Sequence, residues 1–287
     1  MCDICGCSEG EHIHRHGDHV HAHPHEPDRP HFHGGPASGP RSVRVETDVT
    51  AKNDRIAAHI RGWFEARGVL ALNLVSSPGA GKTTLIERTL RDRAAECPWS
   101  VIEGDQHTDN DARRIAACGV PVLQINTGAV CHLDAQMVLD AVRRLSPPTG
   151  SVMLIENVGN LICPALFDLG EAAKVVIASV AEGDDKPEKY PYMFQAASLV
   201  VLTKCDLLPH VPFDADRFER ITRQVNPDAR VIRISATRGY NLEEWYTWLR
   251  ERRLLGTNSP PVAQSRIPEN NATGVDNSLA TQGHHPH

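Results

Sequence analysis

The run Ser76-Ser77-Pro78-Gly79-Ala80-Gly81-Lys82-Thr83-Thr84 holds the residue types that grip a polyphosphate. Its glycines let backbone N–H groups turn inward around phosphate oxygens. Lys82 offers a cation to the β- and γ-phosphates, and the Thr83 hydroxyl is a hard oxygen ligand for Mg²⁺. The apolar stretch 69–75 comes directly before, and Leu85-Ile86-Glu87-Arg88 directly after. A buried strand entering a glycine-rich turn and then a helix suits this chemistry, because the helix N-terminus adds partial positive charge beneath the anion. Pro78, Gly79, Ala80, Gly81, Lys82, Thr83 and Thr84 are the expected nucleotide contacts, with Lys82 acting in catalysis. One residue departs from the usual pattern: Ser76 stands where the first glycine is normally written.

Other strand ends carry matching chemistry. Thr203-Lys204-Cys205-Asp206 follows the apolar Leu199-Val200-Val201-Leu202 and resembles the guanine-specificity motif of GTPases. The Asp206 carboxylate can accept from the guanine N1–H and exocyclic amine, a donor pair that adenine lacks. Lys204 can lie along the base. Thr203 occupies the usual Asn position, so an amide's contacts to the phosphate loop are expected to be lost. Ser235-Ala236-Thr237 resembles the next base-contacting loop, which adds Ser235 and Ala236 to the nucleotide contacts. Asp105 and Glu156 end two further strands and are the acidic candidates for catalysis. Asp105 is favoured as a Mg²⁺ ligand beside Thr83, and Glu156 for metal or water positioning; either one alone could be an ordinary loop carboxylate. Gly159 completes an acidic-x-x-Gly loop like the one with which GTPases sense the γ-phosphate.

A second chemistry needs softer ligands. Cys131-His132 follows one strand, and Cys163 lies only a few residues beyond Glu156. Thiolate and imidazole suit Ni²⁺ and Zn²⁺ and do not suit Mg²⁺. A loop moved by the γ-phosphate would therefore carry a metal ligand with it. At the start, Cys2, Cys5 and Cys7 can chelate one soft or borderline ion. His12, His14, His16, His19, His21, His23, His25, His31 and His33 follow among Gly, Pro, Asp and Glu, a composition suited to holding several Ni²⁺ ions weakly. A shorter cluster, His284, His285 and His287, closes the chain. Cys97, Cys118 and Cys205 have no such companions and read as core or surface thiols.

These groups must be held by a scaffold. The pattern predicts strands at 69–75, 100–104, 121–126, 151–156, 174–180, 198–203 and 230–235. Helices are expected at 49–67, 83–96, 109–118, 133–145, 213–225 and 241–253, the first with Ile56, Ile60, Trp63 and Phe64 on one face. Continuous apolar strands alternating with helices imply a doubly wound, mostly parallel α/β sheet. Residues 1–45 cannot bury enough apolar area to offset chain entropy, so a disordered Cys/His-rich metal-binding segment is expected there. One nucleotide-hydrolase domain is expected over 46–255 and a disordered tail over 256–287. Of the 287 residues 23% are charged, with a formal net charge of −6 and no basic-aromatic stripe, which argues against nucleic-acid binding. No apolar stretch reaches the roughly 18 residues of a membrane span, and no signal core opens the chain. The expected location is the cytoplasm, where cysteines serve as ligands or free thiols before disulfides.

Taken together, the motifs resemble the nickel-insertion GTPases of nickel–iron hydrogenase maturation, the HypB family within the SIMIBI class of P-loop NTPases. The resemblance runs from Val43 to Leu254, with the Cys2-x-x-Cys5-Gly6-Cys7 start. It is carried by the phosphate loop, by Ile102-Glu103-Gly104-Asp105-Gln106, by the stretch Cys131 to Met137 and by the stretch Ile155 to Ala165. It implies GTP hydrolysis that drives or gates nickel delivery to the hydrogenase large-subunit precursor, with a partner nickel chaperone. It also implies a homodimer whose interface metal site uses Cys131, His132 and Cys163, and a histidine-rich nickel store. GTP/GDP, Mg²⁺, Ni²⁺ and Zn²⁺ are the implied ligands. Three other readings are a urease-type nickel GTPase, a nickel storage protein with a secondary nucleotide site, and a small-molecule kinase. The cysteine start and the separate Cys163 argue against the first, and Lys204 with Asp206 against the last.

Overall fold

The computed structural model describes residues 14–16, 19–21, 40–106 and 109–257, and side chains over 50–106 and 109–255. Two short strands, β1 (His14–His16) and β2 (His19–His21), pair antiparallel. The helix α1 (Pro40–Ala66) leads into β3 (Leu70–Ser76), α2 (Lys82–Arg93), β4 (Trp99–Asp105) and α3 (Asn110–Ala116). Then follow β5 (Val122–Asn126), α4 (Ala135–Leu145), β6 (Val152–Glu156) and β7 (Ala173–Ser179). The chain continues through α5 (Lys186–Lys189), α6 (Pro191–Gln195), β8 (Ala197–Thr203), α7 (Ala215–Val225), β9 (Arg230–Arg233) and α8 (Leu242–Thr257).

The seven strands β3 to β9 form one sheet in the order β5-β4-β6-β3-β7-β8-β9, and every neighbouring pair is parallel. All seven predicted strands are present, and the sheet is wholly parallel. Alternate residues of each strand face opposite layers. Leu70, Leu72 and Leu74 of β3 pack with Leu85, Ile86 and Leu90 of α2 and with Trp245 and Trp248 of α8. Ala71 points the other way, toward Ile60 and Phe64 of α1 and Val138 and Val142 of α4. Further along that second face, Val176 and Val200 meet Phe194 of α6 and Phe218 of α7. Each large side chain buried this way stabilises the fold by about 1.5–3 kcal/mol relative to exposure.

The start of the first helix differs from expectation. The first helix begins at Pro40, where proline's fixed φ and missing N–H suit a first turn, so the boundary expected after residue 45 falls inside α1. Between β6 and β7 there is a single short 3-10 turn, Cys163–Ala165, with no crossover helix. That long connection arches past the end of β3 and packs its polar side chains inside the molecule. The strands deliver their C-terminal ends to one edge, which is where such sheets bind ligands.

Candidate nucleotide and metal site

The phosphate loop leaves β3 at Ser76. Gly79 (φ +73°) and Gly81 (φ +100°) adopt left-handed backbone that other residues avoid, and Gly81 caps α2. Lys82 Nζ donates to Ser76 Oγ at 2.8 Å, so the serine that replaces the first glycine gives the lysine a partner. Burial pushes the Lys82 ammonium below its ordinary value, against the attraction of Glu156, Asp111, Glu103 and Asp105.

Glu103, Asp105 and Glu156 converge because β4 and β6 are neighbours whose register pairs Glu103 with Glu156, while Asp111 comes from the start of α3. Thr83 Oγ1 donates to Glu156 Oε1 at 2.7 Å. The second oxygen of Glu156 is buried without a hydrogen-bond partner, as is one oxygen of Glu103. Burial raises Glu156 to about 7, against the pull of Lys82 and the Thr83 hydrogen bond. Glu103 rises to about 8, first through burial and then through repulsion by Glu156, Asp105 and Asp111. Asp105 Oδ1 accepts the Gln106 N–H at 2.6 Å. A hydroxyl and an orphaned carboxylate oxygen beside a phosphate loop fit a hard divalent ion such as Mg²⁺. Glu103 and Asp111 belong to this cluster although sequence reasoning did not single them out. Glu103 carried a usable signal, since it precedes Asp105 by two residues on a strand and therefore shares its face.

Beside the loop lies a cleft of about 240 Å³ lined by Gly81, Thr84, Lys204, Asp206, Ala236 and Thr237. Asp206 Oδ1 is buried there without a partner, which fits the donor edge of a base. Lys204 Nζ donates to the Gly79 carbonyl at 2.8 Å. Thr203 corrects an expectation: its hydroxyl lies 2.6 Å from the Ala80 carbonyl and 3.1 Å from that of Ala178. The threonine hydroxyl thus keeps one side-chain contact to the phosphate loop. Ser235 does not line the cleft; its hydroxyl accepts the Arg238 N–H at 3.2 Å within its own turn. Pro78 instead abuts the Glu156 loop, since a Cβ on Gly159 would lie 3.0 Å from its ring.

At the same sheet edge the ligand atoms of Cys131, His132 and Cys163 all lie within 4.8 Å of one another, the one such trio among the described residues. The two Sγ atoms are 2.9 Å apart, and Cys131 Sγ is 3.9 Å from His132 Nδ1. This soft donor set fits Ni²⁺ or Zn²⁺ with a position left for a further ligand. Burial lowers the His132 pKa against the opposing charge of Asp134, which favours the neutral ligating ring. The ring stacks on Phe167 with centroids 4.0 Å apart. Asp134 caps α4 by accepting the Met137 N–H at 2.8 Å, which anchors the ligand loop to a helix. Val130 and Ile162, the residues just before Cys131 and Cys163, and Leu166 on the same connection are exposed apolar side chains. Cys205 is buried, donates to the Leu202 carbonyl and is pushed up to about 11 by burial, as suits a core thiol. Cys97 and Cys118 are half-buried thiols.

Of the other predicted ligands, Cys2, Cys5, Cys7, His12, His23, His25, His31 and His33 lie outside the described residues, as do His284, His285 and His287. His14, His16, His19 and His21 are described only as backbone of β1 and β2. Among the described residues, no helix is long and apolar enough to cross a membrane.

Residues 70–233 match the family described as CobW/HypB/UreG, nucleotide-binding domain. The hydrogenase maturation factor HypB of Azotobacter vinelandii is 50% identical over 282 residues, spanning 88% of this chain and 93% of its own. The crystal structure of hydrogenase maturation factor HypB from Archaeoglobus fulgidus superposes with a TM-score of 0.67 at 38% identity, covering 71% of this chain and 99% of that one. A crystal structure of HypB from Helicobacter pylori in complex with nickel gives 0.66 at 37% identity, over 71% of this chain and 96% of that one. The phosphate loop, the base cleft and the cysteine–histidine trio thus sit on a fold and sequence shared with these proteins, and the chain belongs to the HypB hydrogenase maturation factors.

Proposed function

We propose that this protein is a GTP-hydrolysing metallochaperone that gates nickel delivery to the nickel–iron hydrogenase large-subunit precursor. The observation that carries this reading is one connecting loop serving two sites. Glu156 begins it against Thr83 of the phosphate loop, and Cys163 follows within the metal trio. Mg²⁺ would be held by Thr83 with Glu156 or Asp105, and catalysis would come from positioning and charge neutralisation around the phosphates. The buried, unpartnered oxygen of Asp206 supports guanine as the base. Ni²⁺ is the cargo at Cys131, His132 and Cys163, and Zn²⁺ is a competitor or structural substitute. The exposed apolar side chains of Val130 and Ile162, adjacent in the chain to Cys131 and Cys163, support a homodimer formed over the metal site. A nickel chaperone supplies the ion, the histidine-rich start stores it, and the work is done in the cytoplasm.

The test is steady-state turnover of GTP and ATP with Mg²⁺. GTP is hydrolysed slowly and ATP poorly. Lys82→Ala lowers GTP turnover by at least about 100-fold, and Asp206→Asn erodes the preference for GTP. Equal turnover of both nucleotides by the unmodified protein would remove the guanine assignment.

A further inference from the structure

We propose that Asn157 is the positioning residue through which the phosphate site sets the geometry of the metal site. This rests on the reading above that both sites act together, and it names the residue that joins them. Asn157 directly follows Glu156, is 1% exposed, and its N–H donates to the Leu74 carbonyl at the end of β3. Its side chain points to the metal side. Asn157 Oδ1 accepts the Leu133 N–H, the first backbone donor after His132, at 3.2 Å, and the Val158 N–H at 2.9 Å. Asn157 Nδ2 donates to Asn73 Oδ1 at 3.2 Å, and Asn73 Nδ2 donates to Glu171 Oε1 at 3.2 Å. Glu171 pairs with Lys174 at 2.7 Å, and Lys174 Nζ donates to the Phe167 carbonyl at 3.1 Å. Phe167 is the ring stacked on His132. Both ends of this buried chain therefore close on the same histidine, one through its backbone neighbour and one through its ring partner.

The loop has little freedom to absorb a displacement elsewhere. On the phosphate side Glu156 accepts from Thr83, and Gly159 lies so close to Pro78 that a Cβ would meet it at 3.0 Å. On the metal side the Leu133 side chain fills the space over Gly104, again 3.0 Å from where a Cβ would stand. Packed interiors transmit such shifts because they deform little. At 3.2 Å the Asn157–Leu133 hydrogen bond is at the long end of the normal range and has room to tighten. Drawing Glu156 and Gly159 toward a γ-phosphate tightens it and shifts His132 relative to Cys131 and Cys163, in a site whose ligand distances tolerate only about 0.2 Å.

The full-length chain is tested with Mg²⁺ and either GDP or a non-hydrolysable GTP analogue. Zinc is titrated, and alkylation of Cys131 and Cys163 is followed by peptide mass spectrometry, which isolates this site from the N-terminal ligands. The half-protecting zinc concentration is expected to differ at least about fivefold between the nucleotide states, the low end of ordinary coupling. Asn157→Ala should bring the ratio to within about twofold. An asparagine that only braces the loop would weaken zinc equally in both states and leave the ratio intact, and that result overturns the inference while sparing the coupling. Equal zinc concentrations in the unmodified protein overturn both the inference and the gating, but leave GTP hydrolysis standing. Should the alanine variant not fold, hydrogen exchange on the unmodified chain decides. Leu133 exchange should slow at least about fivefold with the GTP analogue, and an unchanged rate overturns the inference.

Discussion

Thr203 shows how a single side chain can look like a defect in the sequence and be a solution in the structure. An asparagine is usual in its place, and its own hydroxyl reaches the Ala80 carbonyl at 2.6 Å. Thr203→Val keeps the shape and removes the donor. A net hydrogen bond is worth about 0.5–1.5 kcal/mol, so nucleotide affinity should fall by about two- to thirteenfold at most, measured by calorimetric titration of GDP. Unchanged affinity would mean that the contact is incidental. The phosphate loop and Asp206 stood out in the sequence because each follows a strand in a local pattern, and the thiol and imidazole pair Cys131-His132 pointed to Cys163, which the fold brings beside them. Asp111 and Asn157 could not, because what distinguishes them is a neighbour on another element, Lys82 for Asp111 and Leu133 for Asn157; Glu103 was legible only by the strand face it shares with Asp105, since its register with Glu156 needs the sheet.

At the scale of elements, the strands were legible because short, continuous apolar runs bounded by turn residues suit a sheet covered on both faces. Less legible was the connection between β6 and β7, where no periodic pattern announces the structure. It is held by close approach and polar contacts. Gly170 (φ +80°) leaves its Cα so close to α1 that a Cβ would sit 2.7 Å from the Ala57 carbonyl. Gly170→Ala combines overpacking with backbone strain and should cost about 2–3 kcal/mol, read as a lower urea midpoint. Beside it, burial alone would raise the Asp168 pKa, but hydrogen bonds from Arg61 and the Gly170 N–H hold the carboxyl below its ordinary value. The folded state therefore binds this proton less tightly than the unfolded one. Its contribution is fully present above the ordinary carboxylate pKa, about 3.9, and is lost as pH falls below that and through the lower folded value. Asp168→Asn should lower the melting temperature most at pH 7, with the gap to the unmodified protein closing toward pH 3. A gap independent of pH would show that the carboxylate charge is irrelevant.

At the scale of the whole molecule, the start of α1 decides where the chain can be cut. Removing residues 1–45 would take away the Pro40 end of that helix, so the clean truncation removes 1–39. That protein should lose most of its Ni²⁺ capacity and keep GTP hydrolysis. The nickel held by the full chain should also fall as pH drops through about 6.5, where imidazole takes a proton and stops ligating. Equal nickel stoichiometry in the two proteins, measured by equilibrium dialysis, would remove the storage role. The sheet order has a consequence for how the protein is made. The strand that leads into the phosphate loop, β3, is the first strand of the seven-stranded sheet to leave the ribosome and lies between β6 and β7. Its seven buried residues have no hydrogen-bonding neighbour until β6 emerges. Synthesis at about 5–20 residues per second leaves this apolar strand without a partner for on the order of ten seconds. The nascent chain is thus most vulnerable to aggregation, and most in need of a chaperone's cover, while the segment between β3 and β6 is being translated.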